Sequence, residues 1–325
     1  MKALVSSTLI SSTLLMATFL AGMHANLAAA QSFPSKPVRW IVPFAAGGPA
    51  DVIARILQPR FAERLGQPVV IENRAGGGSN IGHEAGAKAT PDGYTILYVV
   101  PNVVTNPSLF RNQIDPLKEL APVAQLTTQA YVLLANPMFK PNTISEIIAT
   151  AKTKPGGVTC AAGGGLPTFG CEWLRSLVGN GIVHVPYKGN APALTDLIGG
   201  QVDMLIDLFN TALPQVKAGK VRPIALTGAK RGLPLPELPV FAETLPEFVL
   251  VGWHGVMAPV GVPPAITDRL NKALGDALAD PEVTRRISDS FIEVAHTSAD
   301  TFGKIVQADF HKYARIVKAA GIKPE

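Results

Sequence analysis

Apolar residues recur along this chain in two periods that alternate. A continuous run at 38–42, Val-Arg-Trp-Ile-Val, predicts a buried strand, and Ile53, Ile56, Leu57, Phe61 and Leu65 follow at the spacing of one helix face. Residues 69–72 form a second strand, 74–82 a Gly-rich turn and 83–89 a helix. After the turn Pro91-Asp92-Gly93, residues 94–100 make a third strand, followed by a loop at 102–106. This β-α-β-α-β rhythm predicts a mainly parallel sheet covered by helices. One local feature conflicts with it: Pro59 lies inside the first helix and removes the bond to the Arg55 carbonyl, which predicts a kink or break near Gln58.

The alternation then repeats. Strands are expected at 126–128, 131–135, 158–161, 182–185, 202–206 and 224–227, and helices at 143–152, 169–178, 193–198 and 212–218. Residues 233–246 are Pro-rich and suit a rigid connector, after which 249–257 reads as a returning strand. Helices follow at 264–278 and 282–290. The last helix starts at an N-cap, Ser298, carries Phe302, Ile305, Val306, Phe310, Tyr313, Ile316 and Val317 on one face, and ends at Gly321. The expected fold is α/β with two domains: residues 31–128 plus 250–325, and an inserted unit at 129–249. Two crossings between domains make a hinged clamp suited to closing on a small molecule.

Composition narrows this further. Residues 1–30 have a positive start at Lys2, a short apolar core at 9–21 and small residues at 28–30, the pattern of a cleaved secretory signal peptide. With 47% hydrophobic and 16% charged residues, the remainder reads as a globular protein with well-buried sheets. The formal charge of +5 is dispersed rather than gathered in a basic stripe, so nucleic acid is excluded as a partner and a mild bias toward anionic ligands remains. Cys160 and Cys171 both lie in the exported part, where they suit either a disulfide or two buried thiols.

The richest local chemistry lies at the first strand-to-helix turn, Pro43-Phe-Ala-Ala-Gly-Gly-Pro-Ala-Asp51. Gly47 and Gly48 allow a tight bend and close approach of backbone to a ligand, and Pro49 suits the first helical position. Free N–H groups at the positive end of a helix dipole make a site for a carboxylate; a plain turn with glycines used only for geometry fits the same residues. Asp51, in the first helical turn, suits complementing that dipole as well as touching a ligand. Asp207, at the end of a predicted strand, suits a cleft wall or a helix N-terminal acid equally.

Enzyme signatures fail in turn. The Gly76-Gly77-Gly78-Ser79-Asn80-Ile81-Gly82 run lacks dinucleotide-fingerprint spacing, is followed by no P-loop Lys, and has Ile81 where a nucleophile elbow needs glycine. The exported histidines are far apart, so no metal spacing is present, and no cofactor is expected. In His184-Val-Pro-Tyr-Lys-Gly189, Tyr187 and Lys188 suit a solvated strand end or a ligand contact.

The turn at 43–51, Arg64-Leu-Gly-Gln-Pro-Val-Val-Ile-Glu-Asn-Arg74, Ala89-Thr-Pro-Asp-Gly-Tyr-Thr95, the 184–189 segment with Gly200-Gln-Val-Asp203, and the ending Val317-Lys-Ala-Ala-Gly-Ile-Lys-Pro-Glu325 occur in one order along the exported chain. In this the chain resembles the Bug-type periplasmic receptors of tripartite tricarboxylate transporters. The resemblance implies a Venus-flytrap fold of the type II kind, each domain a mainly parallel sheet flanked by helices, with no catalysis. It also implies a periplasmic receptor, expected as a monomer, that hands a small organic carboxylate to membrane permease subunits; the alternatives are a sensor on the same fold that reports ligand to a signalling partner, and a hydrolase working in the cleft. By the resemblance, the ligand carboxylate is gripped between two Gly-rich loops. The residues expected to bind are Phe44, Ala45, Ala46, Gly47, Gly48, Pro49, Asp51, Asn102, Ala162, Gly163, Gly164, Gly165, Thr168 and Asp207. The second loop departs from the family pattern, with Leu166, Pro167, Thr168 and Phe169 where small polar residues and a His are common. A ligand with an apolar or aromatic body is expected from that departure.

Overall fold

The computed structural model describes residues 33–163, 165–232 and 235–322. The expected signal peptide at 1–30, Gly164, and Leu233 and Pro234 of the connector lie outside the described residues.

Strand β1 (Val38–Val42) runs between β2 (Val69–Asn73) and β3 (Thr95–Val99), parallel to both. Helices α1 (Pro49–Leu65) and α2 (Asn80–Ala87) make the crossovers, and a 3-10 turn, Gly77–Ser79, precedes α2. After α3 (Asn102–Leu109) and the single turn α4 (Pro116–Glu119) comes β4 (Leu120–Ala135), a strand of 16 residues. Next are α5 (Ile144–Thr153), β5 (Val158–Ala162), α6 (Leu166–Val178), β6 (Ile182–Pro186), α7 (Asn190–Ile198), β7 (Met204–Leu208), α8 (Phe209–Lys217) and β8 (Arg222–Leu226). The chain closes with β9 (Val251–Pro259), α9 (Pro264–Leu278), α10 (Pro281–Ser288), the two-residue β10 (Glu293–Val294) and α11 (Ala299–Ala320).

β4 joins two lobes because it changes partners along its length. Its first part pairs antiparallel with β9, from Leu120 opposite Pro259 to Ala130 opposite Val251, and touches β10 at Thr127 and Thr128. From Tyr131 to Ala135 it pairs instead with β7 and β8. The return crossing lies where Leu250 N donates to Thr227 O at 2.9 Å, just before β9 begins. Strand order is β2-β1-β3-β9-β4-β7-β5-β6. β1, β2 and β3 are parallel in one lobe, and β5, β6 and β7 in the other. The turns after β1 and β5, at the carboxyl ends of these strands, meet at one cavity, as the rule for open α/β sheets requires.

Burial explains the strands. Val38, Trp40, Ile41 and Val42 are each 0% exposed, because helices cover both faces of β1. Such a run cannot alternate. α11 ties the lobes from outside. Its buried Tyr313 meets Phe169 of α6 edge-on with ring centroids 5.2 Å apart, and Arg175 Nη2 of α6 donates to Ala320 O at 3.0 Å.

Three expectations are corrected. α1 runs from Pro49 to Leu65 through Pro59, so the helix does not break near Gln58. Pro59 and Arg55 both lie on the exposed side of the helix, where the freed carbonyl meets water, while buried Leu57 and Phe61 hold the inner side. The strands expected at 126–128 and 131–135 are one strand, bent by register shifts after Pro122 and Gln125 rather than broken. Residues 102–106, expected as a loop, open helix α3.

Candidate functional site

The turn between β1 and α1 is held by one carboxylate. Asp51, 2% exposed, accepts Gly47 N at 2.8 Å and Arg55 Nε at 2.8 Å on Oδ2, and Asn73 Nδ2 at 2.9 Å on Oδ1. Burial pushes its pKa up, but the Arg55, Gly47 and Asn73 donors outweigh that and leave it lowered. Gly47 supplies the left-handed φ of +79° that lets its N–H turn back to Asp51. With Asp51 bonded inward, α1 has no side-chain N-cap, and the Ala50 and Asp51 amides find no acceptor among the described residues.

The turn between β5 and α6 repeats this arrangement in the other lobe. Gly165 precedes α6 at φ +61°, Pro167 sits in the first turn, and no side chain caps the helix. The Leu166 and Thr168 amides have no acceptor among the described residues. Gly163 N donates to Asn190 Oδ1 at 2.8 Å, and a Cβ on Gly163 would fall 2.1 Å from the Gly189 carbonyl carbon, so only glycine fits. Asn190 Nδ2 in turn donates to Asp207 Oδ1. Asp207 is 1% exposed, its Oδ2 has no partner among the described residues, and burial pushes its carboxyl pKa up.

Between these turns lies a cavity of about 530 Å³. Phe44, Ala45, Gly48 and Pro49 line it from one lobe, and Gly163, Gly165, Leu166 and Pro167 from the other. Its floor is the pair of crossing strands, with Gln129 and Tyr131 of β4 and Gly252, Trp253 and His254 of β9. Trp253 Nε1 donates to buried Asp309 Oδ2 at 2.8 Å, which fixes the ring. His254 Nδ1 lies 2.7 Å from Thr127 Oγ1, and burial pushes its pKa down to about 4, so it is neutral at pH 7. No Lys or Arg is among the described residues that line the cavity. Positive potential there comes from two helix N-termini and their free amides.

Among the residues named from sequence, Phe44, Ala45, Gly48, Pro49, Asn102, Gly163 and Gly165 line this cavity. Asn102 does so with a buried Oδ1 that has no partner among the described residues. Thr168 lines an adjoining chamber instead. Ala46, Gly47, Asp51, Ala162 and Asp207 do not line it: Gly47 and Asp51 brace one turn, and Asp207 stands behind Asn190. Gly164 lies outside the described residues. Tyr187 turns away, its hydroxyl donating to Asp196 at 2.6 Å, and that bond with burial lifts its pKa to about 12. Cys160 and Cys171 are joined by a disulfide with Cα atoms 5.7 Å apart, linking β5 to α6 behind the second turn. Sequence reasoning missed Asn190, Gln129, Tyr131 and His254. Asn190 alone carried a signal, since Gly189-Asn190 opens a helix right after a strand. Among the described residues no group of His, Cys, Asp and Glu could hold a metal ion, and no helix is long and apolar enough to cross a membrane.

The family model for the tripartite tricarboxylate transporter family receptor matches residues 53–322. The chain belongs to this family. As a receptor of the family it is similar to the solved structure of the periplasmic binding protein BugD, at 34% identity and a TM-score of 0.71 over 90% of this chain and 100% of that one. It is similar to R. palustris Rpa4515, solved with adipate, at 31% identity and a TM-score of 0.73, over 90% and 100%. It is likewise similar to MatC from Rhodopseudomonas palustris, solved with bound malate, at 32% identity and a TM-score of 0.70, over 88% and 100%. The fold is thus the mixed α/β, two-domain fold of periplasmic binding proteins, and the chain is a solute-binding receptor of the Bug type.

Proposed function

We propose that this receptor captures a small organic carboxylate between its lobes, in the periplasm, and delivers it to the membrane permease of a tripartite transporter. The observation that carries the reading is the pair of uncapped helix N-termini, α1 and α6, facing one cavity that no Lys or Arg among the described residues lines. A lysine would hold a carboxylate with rotatable donors on a flexible stem, whereas backbone amides at a helix N-terminus are fixed in direction. The relatives bound to malate and adipate support a carboxylate as the ligand class. Residues 31–128 with 250–325 form one domain and 129–249 the other, and the hinge is where β4 and the segment entering β9 cross. The chain acts by binding and performs no catalysis.

On this reading the body of the ligand is apolar or aromatic, in keeping with Leu166, Pro167, Leu208 and Trp253 on the cavity wall. A thermal-shift screen against mono-, di- and tricarboxylates, aromatic acids and amino acids tests this. An acid at 100 times its dissociation constant stabilises by about 2.7 kcal/mol. Saturable stabilisation by an apolar-bodied acid is expected; stronger stabilisation by citrate would contradict the ligand class, and product formation would contradict the receptor.

A further inference from the structure

Two neighbouring residues between α10 and β10 are anchored in different lobes. Ile292 is 7% exposed and belongs to the core cluster of the first lobe, with Ile287 and Val283, and Val294 packs against the same cluster. Phe291, one position earlier, packs instead against the cluster that holds Val132, Leu134, Leu205 and Phe209. The other described members of that cluster all lie between Val132 and Ala242, so Phe291 reaches it from the opposite lobe. Its ring meets that of Phe209 edge-on, with centroids 5.6 Å apart and planes at 63°. Phe209 itself is 4% exposed.

The backbone is bent to achieve this. Among the described residues three that are not glycine have positive φ, and Phe291, at +58°, is the one with a large apolar side chain. A bulky residue holds that conformation only where its surroundings over-determine it. Here they do. Phe291 N donates to Ser288 O at 2.8 Å on one side, and Glu293 and Val294 pair with Thr128 and Thr127 of β4 on the other. A glycine would make the same turn without strain, but it would leave the second lobe's core untouched.

The contact lies beside the hinge. Phe209 opens α8 directly after Leu208, which lines the ligand cavity. Phe209 and Phe291 together border a small cavity of about 190 Å³ with Thr128, Gln129, Ala130 and Val251, where β4 changes partners and β9 begins. Gln129 borders the ligand cavity as well. Each ring is fixed to its own lobe, so a rotation of the lobes about these strands must slide one ring over the other.

We propose that Phe291 is a latch on the hinge, which restrains the lobes in the arrangement where α1 and α6 face one cavity. Packed contacts of this kind hold one arrangement or another and do not deform continuously. The motion restrained is the one that capture and release of a solute require of the proposed receptor. Phe291 acts through Phe209 and touches no ligand, so it is a positioning residue.

Spin labels at Lys88→Cys, just after α2, and Lys152→Cys, in α5, test this by reporting the distance between lobes. Both positions are exposed, and the two native cysteines are held in the disulfide. Pulsed electron paramagnetic resonance on the purified protein, with no acid added, gives the distance distribution. Phe291→Gly keeps the turn and removes the ring; Phe209→Ala removes the other half of the contact. Each is expected to raise the population outside the wild-type distance by about two- to tenfold, the worth of one aromatic pair. The double variant should be no broader than the broader single one, and Phe291→Tyr, which restores the ring, should restore the wild-type distribution. Wild-type distributions in both single variants would overturn the latch, and so would broadening in the double variant by the sum of the two. Since no acid is present, that failure would leave the receptor reading standing, and a protein that binds no acid would leave the latch standing.

Discussion

The Gly47 amide donates to Asp51 Oδ2 across 2.8 Å, so the acid that opens α1 faces its own turn. The same side chain takes Asn73 Nδ2 at 2.9 Å, and that amide also reaches Phe44 O at 3.1 Å. One carboxylate therefore fixes both ends of the turn to β2 and leaves the helix N-terminus open. Asp51→Ala strands these donors and is expected to lower stability by about 2–3 kcal/mol. Urea unfolding measures the loss; a variant as stable as the wild type would show that the turn holds its shape without the acid.

Asn190 performs the matching task in the other lobe, accepting from Gly163 and donating to Asp207. Asn190→Asp places a second carboxylate beside a buried one and at the cavity wall. Carboxylate affinity is expected to fall at least about tenfold, from like-charge repulsion near a helix N-terminus. Titration calorimetry reads this directly, and unchanged affinity would remove Asn190 from the site.

Acid should destabilise the receptor through its histidines. His83 and His254 are buried, and burial pushes each pKa down from 6.5 to about 4. Between those values the unfolded chain binds more protons than the folded one, so stability falls as pH drops through that window. Each group contributes on the order of 3 kcal/mol over the window. His83 Nε2 has no partner among the described residues, so His83→Leu is expected to flatten part of the slope of Tm against pH from 6.5 to 4. An unaltered slope would contradict the assignment.

The disulfide between Cys160 and Cys171 closes a short loop behind the second turn, its ends 11 positions apart in sequence. Loop entropy gives such a link somewhat under about 3 kcal/mol. The double variant Cys160→Ala, Cys171→Ala is expected to unfold at lower urea by that amount and to bind ligand more weakly, since the second turn becomes less ordered. Equal stability would show that the bond adds no constraint.

Strands and helices with clear periodicity were legible from sequence, and so was the glycine turn at 43–51. Pro59 misled because propensity carries no information about which side of a helix is wet. The cavity floor was not legible: Gln129, Tyr131 and His254 come from strands far apart in sequence that meet only where β4 and β9 pair. For Asp51 and Asp207 the sequence leaves two roles open, because a charged residue beside a glycine turn or at a strand end has the same signature whether it faces the ligand or braces the turn. Only the directions of their hydrogen bonds separate the two roles.

The most direct test of the central claim compares one acid with its own primary amide. The acid that stabilises the protein most in the thermal-shift screen is titrated calorimetrically beside the amide at pH 7. If free amides at α1 and α6 hold an ionised carboxylate, the neutral amide should bind at least about 100-fold more weakly, the cost of about two charged hydrogen bonds. Equal binding of the two would show that the helix termini do not hold the ligand's charge.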